Sequence, residues 1–436
     1  MTAHAFPADP GLPEFAVACD PRRMAELLRR HLRPRAGARI DGCTLEEFRH
    51  RPEKRSVLRY RLAVSGAPER QSWVTGALYR PERGPGRARA LAEKMAAAPA
   101  AGSALDGPFD PVAFLPEVGM VVQVYPFDRR LPALPLLADG PTPELAAMLA
   151  RAAGVERSRP HRWSSQRVRY RPELCAVFRY SLAAGGAVHR FYVKLYSEGG
   201  AAPSERRDGG RIGPFAVPRV VAELPELGAL ALSEVAGTPL DRLLVEGDGV
   251  RAARVVGAAL AAFNLEAPPP ERRLTAADER AGIERSQRML DWARPDLAPA
   301  IARIAERAGA GLLDGPAFAT HGDLKLDHVL LDDRRPALVD MDSCAAADPV
   351  LDPATLLARM FAAPFEHPVG RQAAHAAMDA FADAYFASVP AGWRERLGPH
   401  YAGALLEVGV SLFRRQVPGW AGAVAALVDE AARAVR

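Results

Sequence analysis

The chain has 436 residues, 49% of them hydrophobic and 25% charged, with a formal net charge of +5 at pH 7. That length allows two or three domains with ample core, and the ordinary apolar content excludes a fibrous or largely disordered chain. No uninterrupted apolar run reaches the roughly 20 residues of a membrane span, and the opening MTAHAFPADPGLPEF has no basic segment followed by an apolar one, so neither a membrane partner nor a secretory signal is expected.

Four cysteines, Cys19, Cys43, Cys175 and Cys344, stand far apart with no CxxC pair, which predicts free thiols and a cytoplasmic protein. The charge is uneven. Residues 1–245 carry 36 basic and 26 acidic side chains, and residues 246–436 carry 21 and 26. A basic front could attract nucleic acid, but its arginines are scattered without an aromatic platform, so a solvated surface and no nucleic-acid partner are expected. Only four of the 57 basic residues are lysine: Lys54, Lys94, Lys194 and Lys325. A compact ammonium and a broad guanidinium are not interchangeable at a phosphate, so lysines kept in an arginine-writing chain invite a functional explanation.

In chain order, the proline-rich residues 1–20 read as loosely held and Arg22–His31 as a short amphipathic helix. Residues 49–60, RHRPEKRSVLRY, then align without a gap with residues 169–180, RYRPELCAVFRY, sharing seven of twelve positions. Each copy continues into further alternating strands, so the front half predicts an internal duplication of a strand-rich unit. Matching Leu78-Tyr79 with Leu195-Tyr196 sets Ala77 opposite Lys194. From Arg251 the texture turns helical, through RAARVVGAALAAFNLE, RAGIERSQRMLDWA and APAIARIAERAGAGLL.

Next comes AFATHGDLKLDHVLL, followed at once by ALVDMDSCAAADPVLDPA. Eight aspartates and no glutamate lie between Asp323 and Asp352, in a frame of brief apolar strands and tight turns. Short carboxylates on stiff turns suit a hard divalent cation, and Mg²⁺ demands near-octahedral oxygen geometry while keeping waters and substrate phosphates in its shell. Asp352-Pro353 reads as a helix N-cap with proline at the first helical position. Asp348 and Asp352 are accordingly expected to be architectural, while Asp342 either supports a metal through water or faces solvent. The closing helices MDAFADAYFASV, YAGALLEVGVSLFRRQV and AGAVAALVDEAARAV name no substrate, and Phe381, Tyr385 and Trp420 read as core.

HGDLKLDHVLL followed by LVDMD and DPVLDPA resembles the catalytic segment of the aminoglycoside phosphotransferase and choline kinase superfamily, which has the protein-kinase fold. The resemblance implies an α+β, bilobal architecture with a strand-rich N-lobe and a mainly helical C-lobe, to which the duplication adds an extra N-lobe-like domain. The expected domains are 1–155, a degenerate N-lobe-like domain, 156–240, the nucleotide-binding N-lobe, and 241–436, the helical C-lobe. It also implies ATP and Mg²⁺ as cofactors, Asp323 as the base that accepts the proton of a hydroxyl, Asp340 as a metal ligand, and His321 as a brace for the turn. His328 stands where the family has Asn. An imidazole nitrogen is a poorer Mg²⁺ ligand than an amide oxygen, so either the second metal is held differently or a softer ion is tolerated.

By the same resemblance Lys194 reaches the α- and β-phosphates, and Ser233, Glu234 and Val235 form the hinge whose backbone meets adenine. The loop over the phosphates falls at Arg171–Ala176, and Glu205 is the nearest partner for Lys194. The implied function is transfer of the γ-phosphoryl group to the hydroxyl of a small-molecule acceptor, an antibiotic, a sugar or a metabolite alcohol. A kinase-like binding module without catalysis is the alternative, and a protein kinase is disfavoured by the lack of HRD, DFG and APE-like segments. The front unit could cover the acceptor site, mediate a homodimer, or prop up the nucleotide lobe.

Overall fold

The computed structural model describes residues 6–35, 37–66, 72–80, 84–97, 107–155, 161–197 and 210–436. The chain forms two compact units, one of Met1–Ala202 with Val220–Glu234 and one of Pro203–Arg219 with Val235–Arg436.

The first unit begins with α1 (Phe15–Ala18) and α2 (Pro21–His31). The Asp20 carboxylate caps α2 by accepting from the amides of Arg22 and Arg23, and Pro21 occupies the first turn, where no amide is needed. There follow β1 (Arg39–Arg51), β2 (Arg55–Ser65), β3 (Ser72–Tyr79), α3 (Gly84–Ala97), β4 (Val112–Leu115) and β5 (Met120–Val124). Then come α4 (Leu134–Leu137), α5 (Pro143–Ala152), β6 (His161–Arg171), β7 (Cys175–Ala184) and β8 (Ala187–Tyr196). β9 (Gly210–Ile212) and β10 (Phe215–Val217) belong to the second unit, and β11 (Val220–Leu224) and β12 (Ala229–Ser233) return to the first.

Two antiparallel sheets result, β1-β2-β3-β5-β4 and β6-β7-β8-β12-β11, with the same order of strands. The hairpins match in detail. Arg51-Pro52-Glu53-Lys54 and Arg171-Pro172-Glu173-Leu174 are turns with proline second and a positive φ third, +57° at Glu53 and +62° at Glu173. Each is closed by a 3.0 Å bond, Lys54 N–H to the Arg51 carbonyl and Leu174 N–H to the Arg171 carbonyl.

Further matches lie upstream of the repeated sequence. The Asp9 carboxylate accepts from the Glu53 amide at 2.9 Å, and that of Asp128 from the Glu173 amide at 2.7 Å. The buried Tyr60 hydroxyl donates to the Ala18 carbonyl and that of Tyr180 to the Leu137 carbonyl, both at 2.6 Å. Hydroxyls at 0% exposure require such partners. Phe15 stacks edge-on to Phe48, while Leu134, Leu137, Leu145 and Leu149 pack on Phe178, Tyr180 and Val193 of the second sheet.

The second unit holds β13 (Thr238–Pro239), α6 (Leu240–Glu246), α7 (Gly249–Glu266), α8 (Ala276–Ala293), α9 (Ala298–Gly311) and β14 (Phe318–Thr320). It continues through β15 (Val329–Asp332), β16 (Arg335–Leu338), β17 (Ala345–Ala347), α10 (Leu351–Glu366), α11 (Arg371–Phe386), α12 (Ala391–Glu395), α13 (Leu397–Arg414) and α14 (Trp420–Ala434). Its larger sheet runs β13-β15-β16-β10-β9, where β10 joins β16 in parallel at Ala216 and Ala337. β14 pairs with β17.

α8 starts at a capping box, Thr275 and Asp278 each accepting from the other's amide. The helices close over a core that includes Leu260, Phe263, Leu356, Phe381, Tyr385, Leu405 and Phe413, so Phe381 and Tyr385 are core as expected. Trp420 lies 4.6 Å from the Phe413 ring. No described helix is long and apolar enough to cross a membrane.

One expectation is corrected. Asp352 does not cap its helix: α10 begins at Leu351 with Val350 in the capping position, and the Asp352 side chain turns back toward the segment after β14.

Candidate active site

β14 delivers the chain into His321-Gly322-Asp323, and Asp352 fixes that turn. Its carboxylate, 0% exposed, accepts from the amides of His321 at 2.7 Å and Gly322 at 3.0 Å. Asn264 Nδ2 lies 3.5 Å from it and donates to the Ala319 carbonyl at 2.8 Å, while the Tyr385 hydroxyl donates to Asn264 Oδ1 at 3.0 Å. Burial raises the pKa of Asp352 above the ordinary carboxylate value, against the pull of those donors. Gly322 has φ +76°, and a Cβ there would land on the Ser343 carbonyl oxygen, so the turn requires glycine. His321, fully buried, donates from Nε2 to the Val339 carbonyl at 3.0 Å and braces the turn.

Asp323 emerges with its side chain 35% exposed, and Lys325 Nζ sits 2.5 Å from Oδ2. Sequence reasoning singled out Lys325 only by composition, although the partner it meets is two residues away. The 3₁₀ turn Leu326–His328 then brings His328 back beneath Asp323. Nδ1 of His328 is 3.0 Å from the Asp323 carbonyl oxygen, and Nε2 is 3.3 Å from Asp340 Oδ2. Burial is the main cause that pushes the ring's pKa down to about 4, so it is neutral near pH 7. Asp340 sits in the left-handed region at φ +62°, with its side chain 31% exposed.

The donors test the expected metal. Among the described residues no three of His, Cys, Asp and Glu converge on a metal-sized space. A divalent ion held by Asp340 would fill much of its shell with phosphate and water, as nucleotide-bound ions do. The Asp340 carboxylate suits Mg²⁺, whereas the His328 imidazole does not. Asp348 is architectural: it accepts from the Val350 amide at 3.0 Å and from Arg396 at 2.5 Å, with His400 Nε2 at 3.5 Å.

Within the first unit Lys194 lies on β8 between Val177 and Leu230, and is 7% exposed. Ala77 lies on β3 between Val57 and Val121, so the two positions have the same register and only the second sheet carries an ammonium there. The turn expected over the phosphates is already committed. The Glu173 and Leu174 amides are both bonded, and the Glu173 carboxylate, 2% exposed, pairs with Arg55 at 2.6 Å and Arg129 at 3.3 Å. Arg49 donates to the Pro172 carbonyl and Arg59 to that of Tyr170. Burial alone would raise the Glu173 pKa, but the arginines hold it below its ordinary value.

Ser233 ends β12 opposite Phe191, the Glu234 amide donates to the Arg190 carbonyl at 3.3 Å, and Val235 opens the second unit. Glu205 lies outside the described residues.

A carboxylate on a braced His-Gly-Asp turn, a lysine against it, and a second carboxylate on a left-handed residue one hairpin later are what the second unit brings together. Residues 181–397 match the model of APH, the phosphotransferase enzyme family, and that segment is similar to its members. The matched stretch contains Lys194, Asp323, His328 and Asp340, and the front sheet lies outside it.

Among solved structures, a thermostable mutant of aminoglycoside phosphotransferase APH(4)-Ia is similar at 17% identity and a TM-score of 0.44, covering 66% of this chain and 98% of its own. Choline kinase from Cryptosporidium parvum Iowa II is similar at 10% identity and a TM-score of 0.46, covering 67% and 95%. Aminoglycoside phosphotransferase APH(3'')-Id from Streptomyces rimosus, solved with ADP and streptomycin, has 21% identity and a TM-score of 0.36, covering 60% and 99%. No curated protein matches the chain.

Proposed function

We propose that the protein transfers the γ-phosphoryl group of ATP to a hydroxyl of a small molecule in the cytoplasm. The observation that carries this reading is the anchoring of the His321-Gly322-Asp323 turn by Asp352, which holds a partly exposed carboxylate in one posture. Asp323 then orients the acceptor hydroxyl and takes its proton as the oxygen attacks phosphorus. Lys325, paired with Asp323 at 2.5 Å, adds positive charge beside the reacting centre, while Lys194 binds nucleotide phosphate and the backbone of Ser233, Glu234 and Val235 receives the base. A divalent ion, when bound, neutralises phosphate charge. Phosphoryl transfer asks the protein mainly for positioning and charge.

The same reading treats 156–240 as the nucleotide lobe, 241–436 as the catalytic lobe and 1–155 as a degenerate relative of the nucleotide lobe. The matched turns and hydrogen bonds support a duplication, and Ala77 in place of a lysine supports its degeneracy. What the front sheet contributes is a brace: Arg49, Arg55 and Arg59 fasten the Arg171–Cys175 hairpin.

A binding module without catalysis is the second reading, favoured by that hairpin's committed amides. Purified protein incubated with ATP and a broad panel of alcohols separates the two. Phosphorylated product supports the enzyme, and nucleotide binding without product from any acceptor supports the module.

A further inference from the structure

We propose that the cavity between the start of α7 and the turn joining β15 to β16 binds a phosphate monoester with an apolar body. The site lies wholly in the second unit and is independent of the phosphotransfer reading above.

The cavity measures about 630 Å³, a volume ordinary for small-molecule sites. Arg251 and Arg254 line it from α7, and Arg334 lines it from the turn. The first two stand three residues apart on a helix, so their side chains share a face. Against these three guanidinium groups the lining sets one carboxylate, Asp248. Arg251 is loosely engaged. Its nitrogens lie 3.6 Å from Asp248 Oδ2, 3.5 Å from Asp333 Oδ1 and 3.4 Å from the Asp333 carbonyl oxygen. A charge-assisted hydrogen bond is shorter, at about 2.7–2.9 Å. Among the described residues, Arg254 and Arg334 have no ion pair.

This charge pattern names the ligand. Guanidinium forks match phosphate oxygens in pairs, and a phosphate monoester is close to a dianion at neutral pH. It therefore offsets the two arginines that no carboxylate meets. Val250 and Val255 complete the lining, and Val250 is 40% exposed, which is unusual for a large apolar side chain in this chain. Inorganic phosphate would leave both valines wet, whereas the ring or alkyl body of an ester covers them.

The cavity is separate from the candidate active site. The turn closes a ribbon paired from Val329–Leu338 to Asp332–Arg335, and His328 and Asp340 stand beyond its other end. At about 3.3 Å per residue, the turn lies roughly 15 Å from them.

The test titrates the full chain with phenyl phosphate by calorimetry and follows amide exchange by mass spectrometry. Saturable binding should slow exchange over residues 249–254 and 333–335, weaken as salt is raised, and exceed the binding of inorganic phosphate. Arg254→Gln combined with Arg334→Gln should weaken binding at least about tenfold. Both side chains are exposed, so the urea midpoint of that variant should not change. Lys194→Met should bind phenyl phosphate as the native protein does. Absence of saturable binding, equal affinity for inorganic phosphate, or binding lost in Lys194→Met but kept in the double variant would overturn the proposal. Capture by vesicles containing phosphatidic acid, without binding of the soluble ester, would overturn it in favour of a lipid headgroup.

Discussion

Replacing Asp352 by Asn separates two opposing effects. The native carboxylate is fully buried, and burial raises its pKa, so at neutral pH its charge works against folding. Asn removes that charge, but its amide can accept from only one of the two N–H groups at 2.7 and 3.0 Å and turns an NH₂ toward the other. Leaving one buried amide unsatisfied costs about 1–3 kcal/mol, which the relieved desolvation partly offsets. Global stability should therefore fall by less than about 2 kcal/mol.

The local effect is larger, because opening of the turn no longer breaks a charge-assisted bond of about 2 kcal/mol, and exchange of the Gly322 amide should speed up roughly 30-fold. Asp352→Ala, which strands both amides and leaves a void, should cost about 2–4 kcal/mol. Urea unfolding and amide hydrogen exchange by mass spectrometry read the two scales. Unchanged protection over residues 319–324 in both variants would refute the anchoring role.

His400 provides a pH test. Burial alone would depress its pKa, but hydrogen bonds to Asp348 and Glu279 push it up to about 9. Its contribution is fully present below the unfolded value of about 6.5, is lost as pH rises through about 9, and amounts to about 3 kcal/mol at most. Urea midpoints should fall between pH 7 and pH 10 more steeply in the native protein than in His400→Gln, and equal slopes would contradict the assignment. Arg55→Met removes the 2.6 Å partner of a buried carboxylate, though Arg55 is itself 26% exposed, so about 1–2 kcal/mol is expected. Faster exchange over residues 171–175 and weaker ATP binding should accompany it, and unchanged values of both would remove the brace. Lys194→Met should weaken nucleotide binding about 10- to 100-fold by loss of one charge-assisted contact, measured by calorimetry. Native affinity in that variant would contradict the phosphate role.

What was legible in the sequence was local. The strand, turn, strand and hairpin from Phe318 to Leu338 are written in a contiguous run whose spacing needs no distant partner. The two Arg-Pro-Glu hairpins share enough residues to align, and that alignment puts Ala77 and Lys194 in the same register, as the strand pairing does. The matching contacts upstream of the two hairpins were hidden, because Asp9 and Asp128 meet their turns 44 and 45 residues away and few residues around them are shared. The pairing of Arg55 with Glu173 spans 118 residues and leaves no local trace.

Asp352 was misread for a physical reason. Asp-Pro at a helix start looks like a cap, and only the return of the chain from β14 shows that its oxygens serve another segment's amides. The joining of β10 to β16 was equally unreadable, since three-residue strands carry too little periodicity to announce themselves.

The central claim is that the Asp323 carboxylate is the base of a phosphoryl transfer. The most direct measurement is ³¹P nuclear magnetic resonance of ATP with an accepting alcohol, comparing the native protein with Asp323→Asn at matched nucleotide occupancy. The account predicts a new phosphate-ester signal with the native protein and a rate at least about 100-fold lower with the variant. An ester signal that grows equally fast in both would contradict it.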